Sequence, residues 1–88
     1  MKCSYRPQGV CSQQITFDLT DGIVREVQFY GGCPGNLQGI ARLAEGMPAD
    51  ELIARLQGIQ CGGKPTSCPD QFAKALLAAK QKIKEENS

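Results

Sequence analysis

Histidine and tryptophan are missing from this chain, and charge of neither sign prevails by much. The missing histidine excludes every mechanism built on a Ser-His or Cys-His pair. Ten Lys and Arg against nine Asp and Glu leave a net charge of +1. That is too weak a field to neutralise phosphates, so neither nucleic acid nor an anionic membrane is expected as a partner. Nowhere do roughly 18 apolar residues run together, which argues against a membrane span. The stretch from Met1 to Cys11 lacks the apolar core of a secretion signal, so a cytoplasmic location is expected. With 88 residues the chain reads as one small domain over 1–88, burying only about 60% of the surface its unfolded form exposes. A catalytic barrel or a dinucleotide fold does not fit, and no catalytic residue is evident.

The apolar pattern that is present predicts strands first and helices after. Ile15, Phe17 and Leu19 alternate with Gln14, Thr16 and Asp18, and Ile23, Val27 and Phe29 follow Asp21-Gly22. A two-residue turn at Asp21-Gly22 would set Phe17 against Glu26 and split the apolar set between faces. A loop of Thr20, Asp21 and Gly22, with Gly22 at positive φ, pairs Leu19 with Ile23 and Ile15 with Val27 and is the expected register. Met1 to Arg6 adds a short edge strand. Leu37, Ile40, Ala41 and Ala44 recur at helical spacing until Gly46. A second helix opens near Pro48 with Asp50 and Glu51 in its first turn, buries Leu52, Ile53, Leu56 and Ile59, and ends around Gly58. The last runs from about Pro69 to Glu85 with Phe72, Ala73, Leu76, Leu77 and Ile83 on one side and Lys74, Gln81, Lys82 and Lys84 on the other. The expected fold is α+β: a two- or three-stranded antiparallel sheet followed by three helices packed on one face.

Five cysteines in 88 residues fall below the roughly 8 to 10% of secreted disulfide scaffolds, and an odd count leaves one thiol over. Four stand at predicted element boundaries: Cys11 before a strand, Cys33 between strand and helix, Cys61 and Cys68 flanking Gly62-Gly63-Lys64-Pro65. Cys3 is the outlier. Cys33 and Cys68 each precede a proline, and Pro at the first helical position would put both sulfurs at helix N-termini. The unpaired N–H groups there favour the thiolate, the form that binds metal or attacks as a nucleophile. Ser67 with Asp70 also fits a capping box, which leaves the cap residue open by one position. The candidate metal ligands are therefore Cys11, Cys33, Cys61 and Cys68, a soft set suited to zinc or an iron-sulfur cluster. Six residues separate Cys61 from Cys68, longer than zinc-knuckle spacing. The alternatives are thiols that cap and pack without metal, or an exchanging dithiol of Cys61 and Cys68 activated by the helix end and Lys64. The glycine pairs match neither G-x-x-x-x-G-K-[ST] nor G-x-G-x-x-G, and Lys80, Lys82 and Lys84 read as a solvated helix face.

At Thr66-Ser67-Cys68-Pro69-Asp70-Gln71 the chain resembles the TSCPD-domain family, in particular its small stand-alone members with four motif cysteines. Gly9-Val10-Cys11-Ser12, Gly31-Gly32-Cys33-Pro34-Gly35-Asn36 and Gly58-Ile59-Gln60-Cys61-Gly62 extend the likeness over nearly the whole chain. The resemblance implies the same four cysteines and leaves Cys3 outside the pattern. Related domains occur at the C-termini of some adenosylcobalamin-dependent ribonucleotide reductases, which implies an accessory role near ribonucleoside-diphosphate reduction. The order of boundary cysteines, with an EG-x-x-x-DE helix start at Glu45 to Glu51, is similar in layout to the IscU/NifU-type iron-sulfur scaffold proteins. That likeness implies their fold, with Cys11, Cys33 and Cys68 as scaffold thiolates. Gln13 stands where those scaffolds place an Asp, and Cys61 adds a fourth thiolate they lack.

Overall fold

Alternation from Gln14 to Leu19 commits this stretch to a strand with one buried face, and Ile15, Phe17 and Leu19 are buried while Gln14 is exposed. The computed structural model describes residues 2–7, 12–31, 34–60, 63 and 66–86. Its elements in chain order are β1 (Lys2–Tyr5), β2 (Ser12–Thr20), β3 (Ile23–Gly31), α1 (Pro34–Ala44), α2 (Ala49–Leu56) and α3 (Cys68–Glu86). The strands form an antiparallel sheet in the order β1-β2-β3, followed by the three helices, so the α+β layout holds with a third strand. No helix among the described residues is long and apolar enough to cross a membrane.

The hairpin register differs from the one expected. Thr20 pairs with Ile23 and Leu19 with Val24, so Asp21 and Gly22 make a two-residue turn, at φ 55 and 77. Two successive positive φ values are the mark of a type I′ turn, which suits the right-handed twist of paired strands. The face-splitting that would follow is corrected by a bulge. Asp18 pairs with Arg25 but Thr16 with Gln28, which leaves Glu26 and Val27 together opposite Phe17. Beyond it Ile15 meets Phe29, and Val24 and Val27 are buried in place of Ile23. Glu26 takes φ 57 at the bulge, and its N–H donates to Glu45 Oε1 at 3.0 Å, so the displaced amide is satisfied from the chain just past α1. A compensating shift falls between Ser12 and Gln14, opposite Gly31. Gly31 sits at φ 78, and a Cβ there would come within 3.2 Å of Gln13 Cγ.

The turn between α1 and α2 serves as a short border to the sheet. Val24 N–H donates to Met47 O, Gly46 N–H to Val24 O and Ala49 N–H to Gly22 O, at 2.9, 2.7 and 2.8 Å. Gly46, at φ 81, lets the chain leave α1 and double back along β3. α1 packs on β3, α2 on α3, and α3 lies across β2 and β1. At the centre Phe72 is fully buried, edge-on to Phe17 and Phe29 with ring centroids 5.9 and 5.5 Å away. Ile15, Leu19, Val24, Ala44, Leu52, Ile53 and Leu76 complete the same cluster.

Two residues expected in the core are 40 and 41% exposed: Ile59 and Leu77. α2 has ended by Gln57, so Ile59 no longer lies on its apolar face. Leu77 falls one position outside the Phe72, Ala75, Leu76 and Ala79 stripe that α3 turns inward. On the solvent side Lys80 pairs with Asp50, tying α3 to α2 at the surface.

Candidate functional site

Of the proposed metal ligands, Cys68 lies within the described residues, while Cys11, Cys33 and Cys61 lie outside them. Cys68 is half-buried and is the first residue of α3. The first intrahelical bond runs from Gln71 N–H to Ser67 O at 2.8 Å, so Ser67 is the N-cap, Cys68 the first helical position and Pro69 the second. This settles the one-position ambiguity: the serine caps, and the cysteine stands in the first turn. Ser67 Oγ accepts the N–H of Asp70 at 3.2 Å and donates to Ile59 O at 2.6 Å.

Asp70 does not complete the capping box by reaching back to the Ser67 amide. Its carboxylate accepts from the Thr66 hydroxyl through Oδ2 and from Gly58 N–H through Oδ1 at 2.7 Å, and the Lys74 ammonium stands 3.3 Å away. Gln71 Nε2 donates to Thr66 Oγ1 at 3.0 Å. Thr66, Ser67, Asp70 and Gln71 are all buried, and among the described residues no buried side-chain nitrogen or oxygen lacks a partner. The result joins three pieces of chain: the segment just past α2 at Gly58 and Ile59, the approach at Thr66 and Ser67, and the opening turn of α3.

The Thr66 hydroxyl, then the Gly58 amide, hold the Asp70 carboxyl below its ordinary value of 3.8, against burial that pushes it up, with Lys74 adding to the lowering. Because the folded form holds its proton less tightly, the unfolded chain binds more protons near that value. The Asp70 contribution to stability is thus fully present above about pH 4 and disappears as pH falls through the folded pKa. Asp70→Asn is expected to lose about 1.5–3 kcal/mol near neutral pH, the usual worth of bonds to a charged group. Guanidinium unfolding in the presence of chelator checks this: the gap between parent and variant should shrink below about pH 4. A gap as wide at pH 3 as at neutrality would assign the loss to something other than the carboxylate.

Cys3 sits elsewhere. It pairs with Phe17 across β1 and β2, is half-buried, and lines a cleft between β1 and α3 with Ala75, Ala78, Ala79 and Lys82. Ala75 is seven residues past Cys68, about 10 Å along the helix axis. Cys3 and Cys68 therefore stand well apart. Among the described residues no three of Cys, Asp and Glu gather into a group that could hold a metal ion. Cys68 is a half-buried thiol in the first turn of a helix, backed by a fully bonded polar cluster. The cluster itself was only partly legible. Ser67 and Asp70 carried a capping signal, whereas the reach of Asp70 to Gly58, 12 residues back, has no local signature.

A three-stranded sheet followed by three helices, with a Thr-Ser-Cys-Pro-Asp turn opening the last of them, defines a small α+β cysteine-motif domain. The TSCPD domain model matches residues 3–80, and the chain belongs to that family. No curated protein and no solved structure matches the chain.

Proposed function

We propose that this is a small accessory domain in which Cys11, Cys33, Cys61 and Cys68 bind one zinc ion or one iron-sulfur cluster. The role is structural, or one of docking to a larger enzyme such as a ribonucleotide reductase. What supports it is the placement of the described neighbours of these four positions. Ser12 and Gly31, which flank positions 11 and 32 in the sequence, are register partners at one end of the sheet. Pro34 opens α1 directly after position 33. Phe29, two residues before Gly31, meets Phe72, which lies one turn, about 6 Å, along α3 from Cys68. Ile59, two residues before Cys61, is bonded to Ser67, the neighbour of Cys68. In the sequence each of the other three cysteines is within two residues of such an anchor, and tetrahedral thiolates need sulfurs about 3.8 Å apart.

Four thiolates with no imidazole in the chain suit zinc or iron-sulfur chemistry. When bound, the metal would supply a cross-link between the end of the sheet and two helix starts. In protein purified without oxygen, one metal per chain, or iron with matching sulfide, is expected together with four protected thiols. A reversible Cys61–Cys68 disulfide in metal-free protein would replace this reading with a thiol-redox accessory module. Iron-sulfur that passes readily to an acceptor protein would replace the structural role with that of a cluster scaffold.

A further inference from the structure

Capping a helix takes one or two side-chain acceptors, and Ser67 already provides one. Burying the Asp70 carboxylate beside Thr66 and Gln71 goes well beyond that need. A buried charge carries a desolvation penalty of several kcal/mol, which an apolar first turn would avoid. The surplus bonds work together. Asp70 to Gly58 and Ser67 to Ile59 fasten the turn that carries Cys68 to the segment just past α2, and the Thr66 hydroxyl holds the Asp70 carboxylate within that turn. That turn cannot fray or rotate without breaking several of them together.

We infer that Thr66 and Asp70 are positioning residues for Cys68, forming a clasp that fixes the thiol before any ligand arrives. Its use for metal rests on the four-cysteine reading above. Partners that orient a ligand from behind are commonly worth 10–100-fold in metal affinity.

The test compares Thr66→Val, which removes the hydroxyl at nearly constant shape, with Thr66→Ser, which keeps it, and with Asp70→Asn. Co2+ is the probe, followed by its thiolate charge-transfer absorption in competition with a chelator, at a temperature where circular dichroism shows each variant folded. Thr66→Val is expected to weaken Co2+ binding by about 10–100-fold and shift its spectrum, with Thr66→Ser within about threefold of the parent. In metal-free protein, iodoacetamide modification of Cys68, read by peptide mass, is expected to quicken about tenfold in Thr66→Val and Asp70→Asn but not in Thr66→Ser. If Thr66→Val and Asp70→Asn lower the melting temperature yet leave Co2+ affinity, spectrum and Cys68 modification unchanged, the clasp merely stabilises and the inference fails. Should the parent itself bind no Co2+, the metal reading falls, and the Cys68 modification rates alone decide whether Thr66 and Asp70 position the thiol.

Discussion

Phe72→Ala is expected to cost about 3–5 kcal/mol and to leave the chain largely unfolded at temperatures the parent tolerates. The ring has no exposed surface and is wedged edge-on between Phe17 of β2 and Phe29 of β3. Its removal strips partner atoms from both rings at once and opens a cavity under the centre of the sheet. Ile15, Leu76 and Val24 around it are themselves fully buried, so the walls have little freedom to collapse inward, and such sites fall at the upper end of the range. A domain of this size has about 5–15 kcal/mol in all. Urea unfolding followed by circular dichroism gives the number. Leu77→Ala is the control: with its side chain 41% exposed, it should shift the midpoint by much less. Equal losses at the two positions would mean that the core is not centred on Phe72.

The order of elements was legible because it rests on local signals: period-two alternation before Thr20, helical spacing after Pro34, and glycines where helices stop. Gly46 and Gly58 both adopt positive φ, as their place after apolar helical stretches suggests. Register was harder. Asp21-Gly22 is a strong signal for a two-residue turn, yet strict alternation beyond it puts Glu26 opposite Phe17. The chain resolves the conflict with one inserted residue, and its trace is in the sequence: Val24, Val27 and Phe29 are spaced by three and then two. An interval of three in a strand is what a bulge leaves behind. What the sequence does not carry is the donor-acceptor match that makes the bulge tolerable, since Glu45 is far along the chain from Glu26.

The same division applies at the cysteine-bearing turn. Thr66 to Gln71 identify the family, and Ser67 with Asp70 announce a cap. Nothing local says that Asp70 will spend its two oxygens on Thr66 and Gly58. Long-range acceptors of that kind follow from how α2 is laid against α3, which depends on the packing of Leu52, Ile53 and Leu76 rather than on any motif.

Packing also separates Cys3 from Cys68, and substituting them one at a time should divide them sharply. On the proposed four-cysteine centre, Cys68→Ser is expected to weaken Co2+ or Zn2+ binding at least about 100-fold, because a neutral hydroxyl would replace one of four thiolates. Cys3→Ser is expected to leave both stoichiometry and affinity near the parent values. Cys3 belongs to β1 and faces the Ala75-to-Lys82 stretch of α3, about 10 Å or more along the axis from Cys68. One tetrahedral ion cannot reach both, since its sulfurs must lie about 3.8 Å apart. The expected cost of Cys3→Ser is instead a modest loss of stability, of order 0.5–1 kcal/mol, from placing a hydroxyl against the rim of the core. Chelator competition monitored by cobalt absorption reads the affinities, and metal analysis reads the stoichiometry. Retention of tight binding in Cys68→Ser, or its loss in Cys3→Ser, would show that the centre is not built from the four boundary cysteines.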